Sequence, residues 1–364
     1  MNERNKTISV YLLIIMIGIS FCFVFSTNVY AEVAEQIDVN EYIVQLKQMK
    51  IEIDENEVII KELTGFDGRE YILLEGNSKG YYIFNKTNKV FLEGSNESIS
   101  PYKNKKGELY YGGCLEYGYK SEDEIVNIFQ ERKYSLEELK QIETKQNKIY
   151  NDSQHDKFIK TNKLSNYSSS SSSTAGTTIM VDNASSIGNL NTGFGYVNGG
   201  YCGYIAAAIL ISYNYHSKNL NWVPSGDYLD PQTGGPSTKL TNKLISIGQN
   251  EYGQSGGTIS TDIKKVVSYY CDYYVISYNQ TSLYTPVANF SKIKSHISND
   301  HAVIIFGNMP EYPNSNKVNH AVLCYGVLDG ALTDYYYVHY GWSGYSSVMV
   351  AKSNIIIGSM YSCW

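Results

Sequence analysis

The sequence lacks the features that mark several common classes of protein. It contains no CxxC pair, which argues against a structural zinc site and against a small disulfide scaffold, since both use closely paired cysteines. Its formal net charge is only −6 over 364 residues, which argues against a nucleic-acid-binding surface. No second long apolar run follows the first one. With these classes set aside, the apolar run near the N-terminus is the first feature to explain.

The N-terminus has the order of parts of a secretory signal peptide. Arg4 and Lys6 precede an apolar stretch over residues 10–25, and residues 29–31 give a small-residue cleavage pattern of the A-x-A kind. The alternative is an uncleaved membrane anchor, but the run is shorter than the ~20 apolar residues that a spanning helix needs. We therefore expect residues 1–31 to be removed and the protein to be secreted, or held at the cell surface.

The cysteine count of the exported part is odd. With Cys22 inside the signal peptide, five remain: Cys114, Cys202, Cys271, Cys324 and Cys363. At least one thiol must lack a disulfide partner within the chain. An unpaired cysteine in an exported protein is a candidate reactive group.

Composition changes along the chain and predicts two domains. Residues 32–166 are rich in Lys, Glu, Asn and Ile, whereas residues 177–364 contain no arginine and more Gly, Ser and Tyr. Between them, residues 168–173 are six consecutive serines, a composition typical of a flexible linker. The sequence therefore predicts a first domain over 32–166, a linker over 167–176 and a second domain over 177–364.

The first domain is predicted to be a small α+β unit. Residues 39–47 favour a helix, and alternating segments favour strands at residues 71–75 and 81–85. Two capping-box patterns predict later helices: Ser121 with Glu124, and Ser135 with Glu138.

The second domain contains an uncharged run directly after Cys202. Residues 204–213 are apolar on every side, which indicates a helix buried at the centre of a domain. Four later segments favour strands: residues 266–278, 302–306, 321–327 and 335–340. A central buried helix among strands is the architecture that we expect here.

Cys202 lies where the predicted helix begins, and this position favours a reactive thiolate. Backbone N–H groups and the helix dipole at a first turn stabilise a thiolate. The glycines before Cys202 allow close approach of the chain, so that backbone donors can face an oxyanion. The alternative is a small apolar cysteine that is buried and inert.

A catalytic thiol needs a base, and several histidines lie in the second domain: His216, His296, His301, His320 and His339. His320 opens the segment His-Ala-Val-Leu-Cys-Tyr-Gly, and a histidine at a strand edge can pair with a thiol at a helix start. His301 opens the similar segment His-Ala-Val-Ile-Ile-Phe-Gly. Composition alone leaves both open.

The order of four blocks resembles the streptopain-like cysteine peptidases, which are exported papain-fold enzymes of bacteria. Cys202 is followed by an alanine-rich helix and a Tyr eleven positions on. Ala302-Val303 to Gly307, Asn319-His320-Ala321, Asp329-Gly330 and the segment 338–344 then follow in the family's order. The resemblance covers most of residues 195–350.

This resemblance implies an α+β, papain-like fold: a buried helix that carries the cysteine packs on an antiparallel sheet, after a small α+β propeptide. It implies that Cys202 is the nucleophile, that His320 is the general acid/base, and that peptide bonds of proteins or peptides are hydrolysed without a metal or other cofactor. The first domain then corresponds to a propeptide that inhibits its own enzyme. His301 falls on the earlier strand of the pattern.

Two positions depart from the family. His339 stands where the family has an Asn that orients the catalytic imidazole. A neutral imidazole there can accept a hydrogen bond from His320; otherwise Cys202 and His320 act as a dyad. Trp342 either shields this bond from water or is an ordinary core residue.

The second departure concerns the oxyanion hole. Papain-like enzymes commonly carry a Gln six positions before the cysteine, and this chain has Tyr196. The Asn198 side chain is the candidate substitute donor. The loss of one such donor can cost ~10² to 10³ in rate.

Other functions remain open. A bacteriocin-processing peptidase, which cuts double-glycine leaders, shows a similar Cys-Gly helix and His-Ala-Val strand, but it normally precedes a transporter. A transferase or amidase can use the same pair of groups, since an acyl-thioenzyme does not fix what attacks next. The third alternative is a binding module, in which the Tyr-rich second domain binds a glycan or protein and the pair Cys202 and His320 is vestigial.

Overall fold

A computed structural model of the protein describes residues 38–54, 57–66, 68–129, 133–135, 137–138, 176–190, 192, 200–218, 221–254, 256–308, 319–330 and 333–364. Within these ranges the fold is mixed α+β, with six α-helices and one large, mostly antiparallel sheet. Tyr42–Trp364 forms a compact unit. Among the described residues no helix is both long enough and apolar enough to cross a membrane.

The helices are α1 (Val39–Gln48), α2 (Ala184–Asn189), α3 (Cys202–Lys218), α4 (Thr238–Tyr252), α5 (Ser260–Tyr273) and α6 (Phe290–Ser298). The strands are β1 (Ile59–Gly65), β2 (Glu70–Glu75), β3 (Tyr81–Asn85), β4 (Phe91–Ser95), β5 (Leu109–Tyr111), β6 (Tyr117–Ser121), β7 (Glu124–Asn127), β8 (Lys133–Ser135), β9 (Thr177–Met180), β10 (Gln280–Tyr284), β11 (Val303–Asn308), β12 (Asn319–Asp329), β13 (Tyr335–His339), β14 (Val348–Ala351) and β15 (Ile356–Cys363).

The strands follow the order β10-β15-β11-β12-β13-β14-β4-β3-β2-β1-β5-β6-β7-β8, and β9 also pairs with β12. The β1–β5 pair is parallel and the other described pairs are antiparallel. Strand β12 is central, because it pairs with β13 along one side and, along the other, with β11 through residues 319–324 and with β9 through residues 326–329.

Strands from both sides of the serine run share this sheet. Strand β14 pairs with β4 through Met349 opposite Gly94 and Val350 opposite Glu93. We call the part formed by α1 and β1–β8 the N-terminal lobe, and the part from β9 onward the C-terminal lobe. The serine run lies outside the described residues, so the predicted domain boundary there stays a prediction.

The N-terminal lobe forms as its sequence pattern predicts, apart from one hairpin. Helix α1 and strands β2 and β3 lie at the expected positions, and the ring of Tyr42 packs edge-on against Phe84. The helix predicted from Ser121 and Glu124 is wrong. These residues lie on β6 and β7, which pair as a hairpin whose turn holds Glu122 at a φ of 56°. A serine and a glutamate three positions apart suit a two-residue turn as well as a capping box.

The second capping box is present as hydrogen bonds. The Ser135 backbone N–H donates to the Glu138 carboxylate at 2.8 Å, and the Glu138 N–H donates to the Ser135 hydroxyl at 3.1 Å. These are the two reciprocal bonds that define the motif. The rest of the helix predicted after Ser135 falls on residues beyond 138, which the structure does not describe.

The strand predicted over residues 266–278 is also wrong, because residues up to Tyr273 belong to helix α5. Its β-branched and aromatic residues match the composition of a strand. The buried positions, however, recur at helical spacing, and they are Ile263, Val266, Val267, Tyr270 and Cys271. In this segment the spacing of the hydrophobic residues indicates the helix, whereas the residue types suggest a strand.

Helix α3 is the buried central helix that its uncharged run predicts. Residues 203–214 are buried along its length. The helix packs on strands β11 and β12 on one side and on helices α4 and α5 on the other. A helix covered on two sides has no polar face to turn to water. Its first residue, Cys202, lies against Ala321 near the start of β12.

Candidate active site

Cys202 differs in exposure from the other cysteines of the described chain. It is partly exposed, whereas Cys114, Cys271, Cys324 and Cys363 are buried, and none of the five is in a disulfide. As the first residue of α3, it lies where N–H groups of a helix lack intrahelical partners. Its thiol interacts with the backbone N–H groups of Cys202, Gly203 and Ala321. Strand β12 thus supplies a donor to the thiol from the residue that follows His320.

Gly203 allows the start of α3 to pack closely against Thr258 and Ile263. A Cβ atom at this position would lie 2.0 Å from the Thr258 hydroxyl oxygen and 3.1 Å from the Ile263 side chain. Any larger residue would force the helix start away from the segment that leads into α5. The glycine therefore sets where the Cys202 thiol stands.

His320 is the second residue of β12 and is buried, with an exposure of 5%. Its Nε2 atom lies 3.1 Å from the backbone carbonyl oxygen of Tyr340. Because a carbonyl only accepts, this bond assigns the proton to Nε2. The Nδ1 atom then carries the lone pair that a base uses.

Burial favours the neutral forms of Cys202 and His320. It raises the pKa of the Cys202 thiol, and the three backbone N–H groups around the sulfur oppose the rise. It lowers the pKa of His320 to about 4, against a smaller opposing effect of the bond to the Tyr340 carbonyl. Both groups are therefore neutral, and the Cys202 sulfur has to lose its proton before it can act as a nucleophile.

His339 lies at the end of β13 and is fully buried. Its Nε2 atom lies 2.7 Å from the Leu190 carbonyl oxygen, and its Nδ1 atom accepts from the Gly341 N–H at 2.9 Å. Both ring nitrogens are thus engaged by backbone groups. The structure does not place a His339 nitrogen on His320, and the hydrogen-bond acceptor at His320 Nε2 is the Tyr340 carbonyl.

Trp342 lies beside the catalytic candidate. Its ring centroid is 5.5 Å from that of His320, and its exposure is 3%. On the N-terminal lobe, Phe129 lies 5.2 Å from Trp342 and 5.3 Å from Tyr345. The predicted role of Trp342 as a water shield stays a prediction, but its contact with the His320 ring is present.

The strand register separates His301 from His320. Gly307 of β11 pairs with His320, and Val303 pairs with Cys324. His301 precedes Val303 and therefore lies six residues from the His320 pair along the strand, roughly 20 Å at the usual rise. Its ring stacks on Trp364, 4.1 Å between centroids. Helix α3 places the Cys202 thiol against the backbone N–H of Ala321, the residue after His320, whereas His301 lies beyond the far end of β11 from the residue that pairs with His320.

The proposed oxyanion donor Asn198, and Tyr196 at the position of the family's Gln, lie outside the described residues. Within the described ranges, no group of three or more His, Cys, Asp or Glu side chains is placed to hold a metal ion. No known family model matches the chain, and no curated protein matches it.

Several contributors to the site gave no signal in the sequence. The Tyr340 carbonyl and the Ala321 N–H are backbone groups, which every residue carries, so no residue type marks them. Phe129 lies far from the site in sequence and reaches it through the pairing of the two lobes. Thr192 was also missed; its hydroxyl donates to the Gly341 carbonyl at 2.9 Å.

Proposed function

We propose that the protein is a secreted cysteine endopeptidase of the papain type, made as a proenzyme, with Cys202 as nucleophile and His320 as general acid/base. The observation that carries this proposal is the meeting of α3 and β12. Cys202 is a partly exposed residue at a helix start, and its thiol lies against the N–H of the residue next to His320. His320 donates its Nε2 proton to the Tyr340 carbonyl, which leaves Nδ1 as the basic atom.

The proposed reaction starts with transfer of the Cys202 proton to His320 Nδ1. The sulfur attacks the carbonyl carbon of a peptide bond, and the resulting oxyanion faces the N-terminal N–H groups of α3, with Asn198 as a proposed further donor. His320 gives the proton to the leaving amine as the C–N bond breaks. Water, deprotonated by His320, then hydrolyses the thioester and restores the thiol.

The proenzyme part of the proposal rests on contacts between the lobes. Strand β4 extends the sheet at β14, and Phe129 of the N-terminal lobe packs on Trp342, whose ring contacts His320. Removal of the N-terminal lobe would uncover this side of Trp342. We expect cleavage within residues 167–176 to precede full activity, with the N-terminal lobe as the intramolecular inhibitor.

Mass spectrometry of the purified exported chain tests the proposal. The chain is incubated alone and with casein, beside the Cys202→Ala variant and a matched control, Cys271→Ala, which removes a fully buried thiol of α5. We expect wild type and the control to lose the N-terminal lobe and to degrade casein. The Cys202→Ala variant should stay whole and leave casein intact.

Two results would count against the proposal. An intact wild-type chain that leaves casein whole, even after an added protease has trimmed residues 167–176, would exclude peptidase activity on this substrate class. Casein degradation by the untrimmed chain at the full rate would exclude the proenzyme part and retain the dyad.

The second candidate function is a binding module with a vestigial dyad. One observation favours it, namely that burial holds Cys202 and His320 in their neutral forms. Labelling with iodoacetamide and peptide mapping separates the two functions. If Cys202 reacts fast in the trimmed chain and slowly in a trimmed His320→Ala variant, the dyad is functional; equal, slow labelling of both supports the binding module.

A further inference from the structure

We infer that His339 is a positioning residue: its ring fixes the peptide group between Tyr340 and Gly341, and that peptide group orients the His320 imidazole. This inference deepens the proposed function and rests on it. It replaces the side-chain amide expected at this position by a backbone carbonyl that a second histidine holds in place.

The geometry rests on a single planar peptide unit. Its N–H belongs to Gly341 and donates to His339 Nδ1 at 2.9 Å. Its C=O belongs to Tyr340 and accepts from His320 Nε2 at 3.1 Å. Since the N–H and C=O of a trans peptide point in opposite directions in one plane, fixing one end fixes the other. The two imidazoles therefore lie at opposite ends of the same peptide group.

The protonation state of His339 follows from its partners. The Gly341 N–H only donates, so Nδ1 must carry a lone pair, and the proton must lie on Nε2, which donates to the Leu190 carbonyl at 2.7 Å. Burial lowers the pKa of His339 to about 4, which keeps this neutral form at neutral pH. A protonated ring would turn an N–H toward the Gly341 N–H and lose the bond.

Other bonds hold the same turn from its two sides. The Tyr340 N–H donates to the Tyr345 carbonyl at 2.9 Å, and the Thr192 hydroxyl donates to the Gly341 carbonyl at 2.9 Å. Gly341 has a φ of 84°, a conformation that residues with a Cβ rarely adopt. The His339 ring supplies the remaining constraint, which is the rotation of the peptide plane itself.

Three substitutions separate the two bonds of His339. In Asn, Oδ1 lies as many bonds from the backbone as Nδ1 of His, so His339→Asn keeps an acceptor for Gly341 and loses the donor to Leu190. In Gln, Nε2 matches the donor position, so His339→Gln keeps a donor for Leu190 and loses the acceptor. His339→Ala loses both. The control is His296→Ala, which removes another buried histidine, on α6.

The first measurement is the His320 tautomer in the full chain, read from ring ¹⁵N chemical shifts at pH 7.5. We expect the Nε2–H form in wild type, His339→Asn and the His296→Ala control. We expect a mixture of tautomers in His339→Gln and His339→Ala, because the Tyr340 carbonyl is no longer aimed at Nε2. A change that only loosened the fold would affect Asn and Gln alike.

The second measurement is the rate of Cys202 alkylation by iodoacetamide at the same pH. We expect His339→Gln and His339→Ala to slow it roughly 10- to 100-fold, as for a misplaced catalytic group, and His339→Asn to stay near the wild-type rate. The inference is overturned if Gln keeps the wild-type tautomer and rate, or if Asn loses them together with Gln. Should His339→Ala fail to fold, the comparison of Asn with Gln still decides.

The two readouts also separate this inference from the proposed function. If the tautomer responds as expected but His320→Ala alkylates as fast as wild type, the positioning stands and the dyad fails. If alkylation depends on His320 but the His320 tautomer is unchanged in the His339 variants, the proposed dyad is supported and the positioning role of His339 is contradicted.

Discussion

The ring of Phe129, near the end of the N-terminal lobe, packs against the ring of Trp342 in the C-terminal lobe with centroids 5.2 Å apart. Trp342 in turn lies 5.5 Å from the His320 ring. One aromatic contact therefore links the part of the chain proposed to inhibit with the histidine proposed to catalyse. Its strength should govern how often the site opens in the uncut chain.

We expect Phe129→Ala to raise the rate of Cys202 alkylation in the full chain roughly 2- to 13-fold, which is the population change that 0.5–1.5 kcal/mol of aromatic packing represents. Iodoacetamide labelling followed by peptide mapping measures it. Tyr119→Ala is the control, since Tyr119 is a partly buried aromatic of the same lobe whose ring Lys105 covers. An unchanged rate in Phe129→Ala would show that this contact does not restrict the site.

The pH dependence of labelling should report the neutral state of the pair. Because burial raises the pKa of the Cys202 thiol above its ordinary value of 9.0, the thiolate fraction in the full chain rises about tenfold per pH unit between pH 6 and 8. The alkylation rate should rise in the same way and show no plateau below pH 9. A plateau that begins below pH 7 would mean that the thiolate–imidazolium pair already exists before cleavage.

The sequence predicted the central parts of the site but not what holds them. The uncharged run after Cys202 predicted the buried helix, and the segment after His320 predicted a strand, because both are local patterns of hydrophobicity. The orienting group could not be predicted in the same way. The Tyr340 carbonyl is a backbone group. Its direction depends on His339 and on the conformation of a turn that residue types do not predict.

Two errors have the same physical origin. The segment after residue 266 has the composition of a strand and forms helix α5, and the pair Ser121 and Glu124 closes a hairpin instead of starting a helix. In both places a local preference is compatible with two structures. The tertiary packing of Val266 and Tyr270 into the core decides between them in the first case, and strand pairing decides in the second.

Glu93 should make the stability of the chain depend on pH. Its fully buried carboxyl group receives hydroxyl hydrogen bonds from Tyr81 at 2.9 Å, from Tyr111 at 3.0 Å and from Tyr117. Burial nevertheless raises its pKa above the ordinary 4.5. The folded state thus binds the proton more tightly than the unfolded state. This stabilisation is complete below the ordinary pKa and is lost as pH rises through the folded pKa.

The free energy of unfolding of the wild type should therefore fall as pH rises above the ordinary glutamate value, by at most about 1.4 kcal/mol per pH unit. Glu93→Gln, which cannot ionise, should lack this slope. Urea unfolding of both chains from pH 4 to 8 measures the difference. Glu97→Gln is the control, because Glu97 is an exposed partner of Lys79 and such pairs contribute little. Parallel curves for wild type and Glu93→Gln would show that Glu93 is ionised in the folded chain.

The position of the Cys202 thiol should depend on the space beside Gly203. The Cβ of a Gly203→Ala variant would lie 2.0 Å from the Thr258 hydroxyl oxygen, so the start of α3 has to shift. We expect a loss of about 1–3 kcal/mol in the free energy of unfolding, as for other overpacked cores, and slower alkylation of Cys202. Gly226→Ala is the control, because a Cβ there meets no atom within 4 Å.

A compensating change makes this prediction specific. Thr258→Ala removes the hydroxyl that the new Cβ would meet, so the double variant Gly203→Ala/Thr258→Ala should recover part of both the stability and the alkylation rate. Since the two residues are in contact, their effects should be non-additive by more than 0.5 kcal/mol on the usual scale of such couplings, roughly 0.5–3 kcal/mol. Strict additivity would mean that Gly203 acts through its backbone conformation, and that the thiol is placed by other contacts.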